Sequence, residues 1–171
     1  MRGFVHVYTG DGKGKTTAAL GLALRAAGAG LRVYIGQFIK NADYSELNSL
    51  QRLADSITVE RYGLGCMLIH AATPEDIEAA RQGLATFGAA MTSGKFDLVI
   101  ADEINVACAL GLLGEQDLLA LVARRPAAVE LVLTGRGAPA SLLDVADLVT
   151  EMRAVKHYYE QGVLARKGID S

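Results

Sequence analysis

A glycine-rich loop between a predicted strand and a predicted helix constrains this chain more than any other feature. The stretch TGDGKGKTT (residues 9–17) follows the β-rich run FVHVYT (4–9) and leads into a segment rich in alanine and leucine. Successive N–H groups of such a loop can surround an anion, and the helix adds the partial positive charge of its N-terminus. The order strand, glycine loop, helix therefore predicts a phosphate-binding loop.

The residue types of the loop suit a nucleotide polyphosphate. The glycines permit unusual backbone dihedral angles and a close approach of the phosphates. We expect Lys15 to reach the terminal phosphates and the Thr16 hydroxyl to bind Mg²⁺. The usual pattern GxxxxGK[ST] places its first glycine where this chain has Thr9, so the loop is a variant. The predicted nucleotide-binding residues of the loop are Thr9, Gly10, Asp11, Gly12, Lys13, Gly14, Lys15, Thr16 and Thr17.

Strands alternate with helices along the whole chain. This order predicts an α/β fold, a mostly parallel sheet with helices on both faces, of the P-loop NTPase-like (RecA-like) type. We expect one domain over residues 1–171, with residues 154–171 as a C-terminal tail that packs near the active site. Leu20, Leu24 and Ala27 recur at helical spacing in the first helix. The predicted strands are 4–9, 32–40, 57–63, 96–103, 129–135 and 147–153; the predicted helices are 15–27, 45–54, 73–94, 115–126 and 139–146.

Composition excludes several kinds of partner. The net charge of −2 provides no broad basic field for a nucleic acid, and no apolar run reaches the roughly 20 residues that span a bilayer. The N-terminus has no signal-peptide pattern, so we expect a cytoplasmic protein. Cys66 and Cys108 lie far apart without a CxxC spacing, which favours reduced thiols over a zinc site.

Two further stretches place charged residues at the ends of predicted strands. FDLVIADE (96–103) delivers Asp102 and Glu103 to the carboxyl edge of the sheet, where either acid can hold the Mg²⁺ ion directly or through water. LTGRG (133–137) follows the fifth strand at the same edge. Arg136 is therefore expected to hold phosphate oxygens through paired hydrogen bonds.

Four stretches together resemble the P-loop type of ATP:corrinoid (cob(I)alamin) adenosyltransferase over nearly the whole chain. They begin at TGDGKGKTTAALG, SGKFDLVIADEIN, RRPAAVELVLTGRGAP and ADLVTEMRAVKHYYEQG, and they follow the order of that family. The variant loop with Thr9 is typical of the family. The resemblance implies attack of a Co(I) corrinoid on the 5′ carbon of ATP, departure of tripolyphosphate, and ATP bound in a reversed sense.

The resemblance also implies the partners, while the glycine loop and the strand ends indicate the metal and the catalytic residues. Magnesium, or manganese in its place, would accompany ATP and the reduced corrinoid, which are substrates. A flavoprotein or another reductase would supply electrons, and the protein would form a homodimer. The candidate catalytic residues are Lys15, Arg136 and Glu103; the candidate metal ligands are Thr16, Asp102 and Glu103.

One departure from the family pattern affects the corrinoid side of the site. Some members carry GxGFxW after the third strand, where aromatic side chains help to strip the lower ligand from cobalt. This chain has GLGCMLIH (63–70), so Cys66 and Leu68 occupy those places, and Met67 and Leu68 can form an apolar wedge or a packed loop.

Other functions remain open on the residues alone. Glu103 beside the metal aspartate would also suit an ATP-hydrolysing switch or motor. A nucleotide-binding or corrinoid-binding module without catalysis is a third reading. A small-substrate kinase is a fourth, although no long basic insertion provides a lid.

Overall fold

Six parallel strands form one sheet within residues 2–39, 44–63 and 72–170, the part of the chain that this computed structural model describes. Every strand pairing within these residues is parallel. The spatial order is β3-β2-β4-β5-β1-β6. The strands are β1 (Val5–Thr9), β2 (Val33–Gln37), β3 (Ile57–Arg61), β4 (Leu98–Asp102), β5 (Glu130–Thr134) and β6 (Leu148–Glu151).

Helices connect the strands and begin largely where the sequence predicts. The longest helix shows why: the Thr73 hydroxyl accepts from the Asp76 N–H at 3.2 Å, while Asp76 accepts from the Thr73 N–H at 3.0 Å. Pro74 occupies the first helical position, where its missing N–H costs nothing. The helices are α1 (Lys15–Gly28), α2 (Ser45–Gln51), α3 (Pro74–Thr92), α4 (Ile104–Ala109), α5 (Glu115–Ala123) and α6 (Ala140–Val145).

The predicted α/β class is confirmed, and the sequence analysis missed two elements. Helix α4 begins directly after the two acids, and no side chain caps its N-terminus. The tail contains a 3₁₀ helix, Tyr158–Gln161, ended by Gly162 in a left-handed conformation. Both elements depend on contacts with distant segments, which short-range patterns do not encode.

The face of α1 that packs on the sheet differs from the leucine spacing noted in the sequence. Ala19, Ala23 and Ala26 are buried against the sheet, whereas Leu24 is 59% exposed. The small alanine side chains let the helix axis approach the strands closely. This close approach brings the first turn of α1 to the ends of β4 and β5.

The opposite face of the sheet carries the larger core. The side chains almost fully buried there include Tyr34, Phe38, Phe87 and Met91. The centre of the Phe87 ring lies 5.8 Å from that of Tyr34 and 5.9 Å from that of Phe38. Because all strands run in one direction, their carboxyl ends share one edge. No helix among the described residues is long and apolar enough to cross a membrane.

Candidate nucleotide-binding site

The glycine loop connects the end of β1 to the start of α1. Gly10 and Gly14 have positive φ angles of 94° and 121°, a conformation that glycine adopts without strain. Gly12 serves another purpose, because its N–H donates to the Met152 carbonyl at 2.6 Å. A Cβ on Gly12 would lie 2.7 Å from that carbonyl oxygen. The chain after β6 therefore braces the loop from outside and requires glycine at this position.

The Lys15 side chain curls into the loop that precedes it. Its ammonium donates to the Gly10 carbonyl at 2.6 Å and to the Gly12 carbonyl at 2.7 Å, and the residue is 7% exposed. Burial lowers the pKa of Lys15, and the Arg136 guanidinium lowers it further, while Glu103 and Asp11 act in the opposite direction. Arg136, Glu103 and Asp11 therefore lie near enough to act on the charge of the Lys15 ammonium.

A hydroxyl–carboxylate cluster lies beside the loop. The Thr16 and Thr134 hydroxyls both donate to Oδ1 of Asp102, at 2.9 Å and 2.7 Å. Asp102 is 2% exposed, so these bonds hold a buried carboxylate in one orientation. Hard oxygen donors of this kind are the ligands that Mg²⁺ prefers, and Mg²⁺ usually needs only one or two protein ligands beside water and phosphates. The donor set therefore fits a magnesium ion.

Glu103 has an unusual backbone conformation at the end of β4. Its φ of 62° makes it the one non-glycine residue with positive φ in the described ranges. The Glu103 N–H donates to the Thr134 hydroxyl at 3.0 Å, and α4 begins at the next residue. Such strain of roughly 1–3 kcal/mol persists where surrounding contacts determine the conformation, often at functional sites. The turn separates Glu103 from buried Asp102, so the adjacent acids occupy different environments.

Arg136 is presented by a rigid turn after β5. Gly135 precedes it with a φ of 131°, and a Cβ there would lie 2.9 Å from the Val106 nitrogen. The fully buried Asn105 donates from Nδ2 to the Gly135 carbonyl at 3.2 Å. Helix α4 and the turn are thus packed and hydrogen-bonded together. The exposed Arg136 side chain begins from this fixed backbone.

Most of the predicted site residues lie at the carboxyl edge of the sheet, but some of them contact protein groups other than those expected. The Thr9 hydroxyl accepts from the Ala138 N–H at 3.4 Å, and its carbonyl accepts from Met152 at 2.8 Å. Thr17 is exposed on the first turn of α1. Lys13 extends toward the tail, where its ammonium lies 3.3 Å from Asp170. An open cleft of about 480 Å³ lies beside the loop, lined by Asp11, Glu151, Arg153, Ala154 and Val155.

Asp170 ties the tail together as well as contacting the loop. The Tyr158 hydroxyl donates to Asp170, and the Arg166 guanidinium donates to the same carboxylate at 3.1 Å. Arg166 also lies 4.9 Å from the centre of the Tyr158 ring. The Tyr158 hydrogen bond contributes most to lowering the pKa of Asp170, assisted by Arg166 and Lys13 against some desolvation. The tail therefore presents a carboxylate to the glycine loop.

Sequence reasoning missed three residues that shape this edge. Thr134 links Asp102 to Glu103, Asn105 holds the turn before Arg136, and Met152 braces the loop. Each lies at or just after the carboxyl end of a strand, and this position was the only feature of the sequence that could have indicated a role in the site. Their hydrogen-bond partners could not be predicted, because the strand order brings together residues that are far apart in the sequence.

The cysteine and corrinoid-side predictions have different outcomes. Cys108 is a half-buried free thiol, and burial raises its pKa. The predicted apolar wedge of Met67 and Leu68, with Cys66, lies outside the described residues.

A parallel sheet with a glycine loop between its first strand and first helix defines a protein of the P-loop NTPase-like α/β class. The sequence model of the family "ATP:corrinoid adenosyltransferase BtuR/CobO/CobP" matches residues 1–171. This chain belongs to that family.

Individual relatives agree with the family match. The corrinoid adenosyltransferase of Pseudomonas aeruginosa is 35% identical over 170 residues, which cover 99% of this chain and 84% of that protein. The corrinoid adenosyltransferase CobA of Salmonella typhimurium is 36% identical over 171 residues, covering 99% and 86%. The corrinoid adenosyltransferase of Escherichia coli K12 is 34% identical over 170 residues, covering 99% and 86%.

Proposed function

We propose that this protein transfers the 5′-deoxyadenosyl group of ATP to the Co(I) centre of a reduced corrinoid. The products are tripolyphosphate and either adenosylcobalamin or an adenosylated precursor. The observation that carries the proposal is the family match over the whole chain, which includes the glycine loop, both acids and Arg136. The geometry of the edge supports it, because the side chains there suit charge stabilisation.

The proposed reaction is a substitution at carbon. The electron pair of Co(I) forms the Co–C5′ bond, and the C5′–O bond breaks with its electron pair leaving on tripolyphosphate. The corrinoid substrate supplies the nucleophile, so no serine, cysteine or lysine has to attack. The protein contributes positioning and electrostatic stabilisation.

Lys15 and Arg136 are the residues that we assign to the growing negative charge. Lys15 is held in the loop by two carbonyls, and the guanidinium of Arg136 is close enough to lower its pKa. Two cationic groups repel each other in the free protein, and an anion between them relieves that repulsion. Glu103 and Asp11 limit the net positive charge around Lys15. This arrangement favours binding of a polyphosphate that becomes more negative as it departs.

Magnesium would be held by Thr16 and Asp102, with Glu103 at its periphery. When bound, the ion supplies neutralisation of charge on the phosphates. The Thr134 hydroxyl fixes the Asp102 carboxylate at 2.7 Å, so this ligand needs little reorganisation. Manganese prefers similar oxygen donors and is the expected substitute.

Further parts of the proposal rest on the resemblance to the family. A flavoprotein or other reductase would generate Co(I), the protein would act as a cytoplasmic homodimer, and neither nucleic acid nor a membrane would be a partner. ATP would bind in the reversed sense, with its ribose toward the corrinoid. The cleft of about 480 Å³ beside the loop provides room for parts of the nucleotide beyond its phosphates.

Hydrolysis of the γ-phosphate is the second candidate function. Glu103 favours it, because a carboxylate near Lys15 and beside the metal aspartate can orient an attacking water. The two reactions differ in their products, tripolyphosphate for the first and ADP with orthophosphate for the second.

An anaerobic assay tests the proposed function. The protein is mixed with Mg-ATP and chemically reduced cob(I)alamin, and the light-sensitive spectrum of an alkylcobalt bond is recorded. We expect the spectrum with the wild-type chain and with Lys95→Ala, an exposed lysine before β4. Lys15→Ala is expected to abolish turnover. Unchanged turnover in Lys15→Ala, or no Co–C bond with the wild-type chain, would contradict the proposal.

A further inference from the structure

Gln37, the last residue of β2, carries a buried carboxamide that has no hydrogen-bond partner among the described residues. The residue is 0% exposed, and neither Oε1 nor Nε2 is bonded to another group within the part of the chain that the structure describes. A buried polar atom in this situation forfeits the hydrogen bonds that water gives it in the unfolded chain. An apolar residue of similar size would avoid this loss. The side chain therefore invites a functional explanation.

Gln37 lies beside the hydroxyl–carboxylate cluster described above. It is the register partner of Asp102 on the neighbouring strand, and the Phe38 N–H donates to the Asp102 carbonyl at 3.0 Å. Side chains alternate between the two faces of a strand. Val33 and Ile35 pack with Ile100 in the core beneath α1, so Gln37 and Asp102 share that face.

Three polar side chains consequently end three adjacent strands on the α1 face. Gln37 ends β2, Asp102 ends β4 and Thr134 ends β5, and all three are almost fully buried. The Thr16 and Thr134 hydroxyls both donate to Oδ1 of Asp102. In the described ranges, Gln37 is the member of this row in which neither polar side-chain atom has a hydrogen-bond partner.

We infer that Gln37 is a positioning residue for the metal–nucleotide complex. Its Oε1 accepts a hydrogen bond from a water bound to the Mg²⁺ ion, and its Nε2 donates to a phosphate oxygen. A metal-bound water can only donate and a phosphate oxygen accepts, so a carboxamide matches both. Groups that hold metal-bound water tune affinity for the metal. This inference rests on the proposed function for the identity of the nucleotide.

The test compares Gln37→Met with Gln82→Met. Methionine has nearly the volume of glutamine but cannot make these hydrogen bonds. Gln82 is exposed on α3, and among the described residues its side chain donates only to Glu78, at 3.0 Å. Free Mn²⁺ is measured by electron paramagnetic resonance while the protein with saturating ATP, and no corrinoid, is titrated with Mn²⁺. We expect the Mn²⁺ dissociation constant to rise about tenfold in Gln37→Met and to stay unchanged in Gln82→Met.

A second readout separates positioning from a structural role. Without ligands, Gln37→Met should unfold at the wild-type temperature or about 2 °C above it, because it removes unsatisfied buried atoms. Gln37→Glu keeps the acceptor oxygen and should retain Mn²⁺ affinity near that of the wild type. Wild-type Mn²⁺ affinity in Gln37→Met would overturn the inference, as would a lower unfolding temperature or failure of this variant to fold.

The outcomes distinguish this inference from the proposed function. If the wild-type chain formed no Co–C bond while Gln37→Met still lost Mn²⁺ affinity, the proposed function alone would fail. If the wild-type chain formed the bond while Gln37→Met kept its Mn²⁺ affinity, the inference alone would fail.

Discussion

The Thr16 hydroxyl donates a hydrogen bond of 2.9 Å to the Asp102 carboxylate, across 86 positions of the sequence. This bond joins the first turn of α1, which follows the glycine loop, to the end of β4, where the two acids lie. Because Asp102 also accepts from Thr134, its orientation is fixed from two sides. The position proposed for magnesium therefore follows from the sheet order as much as from the loop.

Replacement of Thr16 tests this position. Thr16→Ala removes one proposed ligand, and we expect the Mg²⁺ concentration for half-maximal adenosyl transfer to rise at least about tenfold. Thr86→Ala is the matched control, because its hydroxyl bonds to the Gln82 carbonyl on an exposed helix face. A Mg²⁺ titration of initial rates measures both. The same Mg²⁺ dependence in the two variants would place the ion elsewhere.

The sequence predicted those features that depend on neighbours along the chain. The glycine loop and the alternation of strands and helices are local patterns, and the structure has both. The packed face of α1 was harder to predict, because Ala19, Ala23 and Ala26, which are buried, are less hydrophobic than the leucines beside them, of which Leu24 is 59% exposed.

Features that depend on strand order could not be read from the sequence. Gln37, Asp102 and Thr134 become neighbours because β4 lies between β2 and β5. The brace between Gly12 and Met152 likewise requires β6 to lie beside β1. Local propensities do not encode these pairings, so Gln37, Thr134 and Met152 were missed, whereas Asp102 was predicted from its place at the end of a strand.

The turn before Arg136 provides a prediction about backbone strain. Gly135→Ala combines a positive φ with a Cβ placed 2.9 Å from the Val106 nitrogen. We expect it to lower the free energy of unfolding by about 1–3 kcal/mol and to weaken ATP binding through displaced Arg136. Gly21→Ala is the control, because a Cβ there meets nothing within 4 Å. It should stabilise α1 by about 0.5–1 kcal/mol. Urea unfolding and ATP titration measure the two effects, and equal stability of the two variants would contradict this account.

The tail provides a prediction about Asp170. Asp170→Asn should accelerate amide hydrogen exchange over residues 158–170 at pH 7, because it weakens the bonds to Arg166 and Lys13. The exposed Glu160 supplies the control Glu160→Gln, which should exchange at the wild-type rate.

Only strongly acidic solutions should weaken the contacts of the Asp170 carboxylate with Arg166 and Lys13. The pKa of Asp170 is lowered in the folded protein, so its contribution is present above the ordinary carboxyl pKa of about 3.9 and is lost only as pH falls through the lowered value. The near-ultraviolet circular dichroism of the tail tyrosines should therefore stay constant from pH 7 to about pH 4. A change near pH 5 in that signal would be inconsistent with the described contact.

The buried tyrosines of the core lead to a prediction about stability at alkaline pH. Burial raises the pKa of Tyr34 and of Tyr62, whose hydroxyls are hydrogen-bonded to each other, and Tyr62 donates to Glu60 at 3.2 Å. Their contribution to stability is fully present below the ordinary phenol pKa of about 10 and is lost as pH rises toward the raised values. The free energy of unfolding should fall between pH 9 and about pH 11.

Phenylalanine variants isolate this effect. Tyr34→Phe removes one of the buried phenols, so the alkaline fall in stability should be shallower than in the wild type. Tyr159→Phe is the control, because that side chain is 71% exposed and should leave the slope unchanged. Urea unfolding at a series of pH values measures the slopes. The account of the tyrosine pair fails if Tyr34→Phe keeps the wild-type slope.

The fate of the phosphate chain tests the central claim most directly. Phosphorus-31 nuclear magnetic resonance can follow wild-type protein with Mg-ATP and reduced cob(I)alamin under anaerobic conditions. We predict one tripolyphosphate for each Co–C bond formed, since the C5′–O bond breaks and the three phosphates leave together. ADP and orthophosphate as the stoichiometric products would contradict the account and would assign Glu103 to hydrolysis instead.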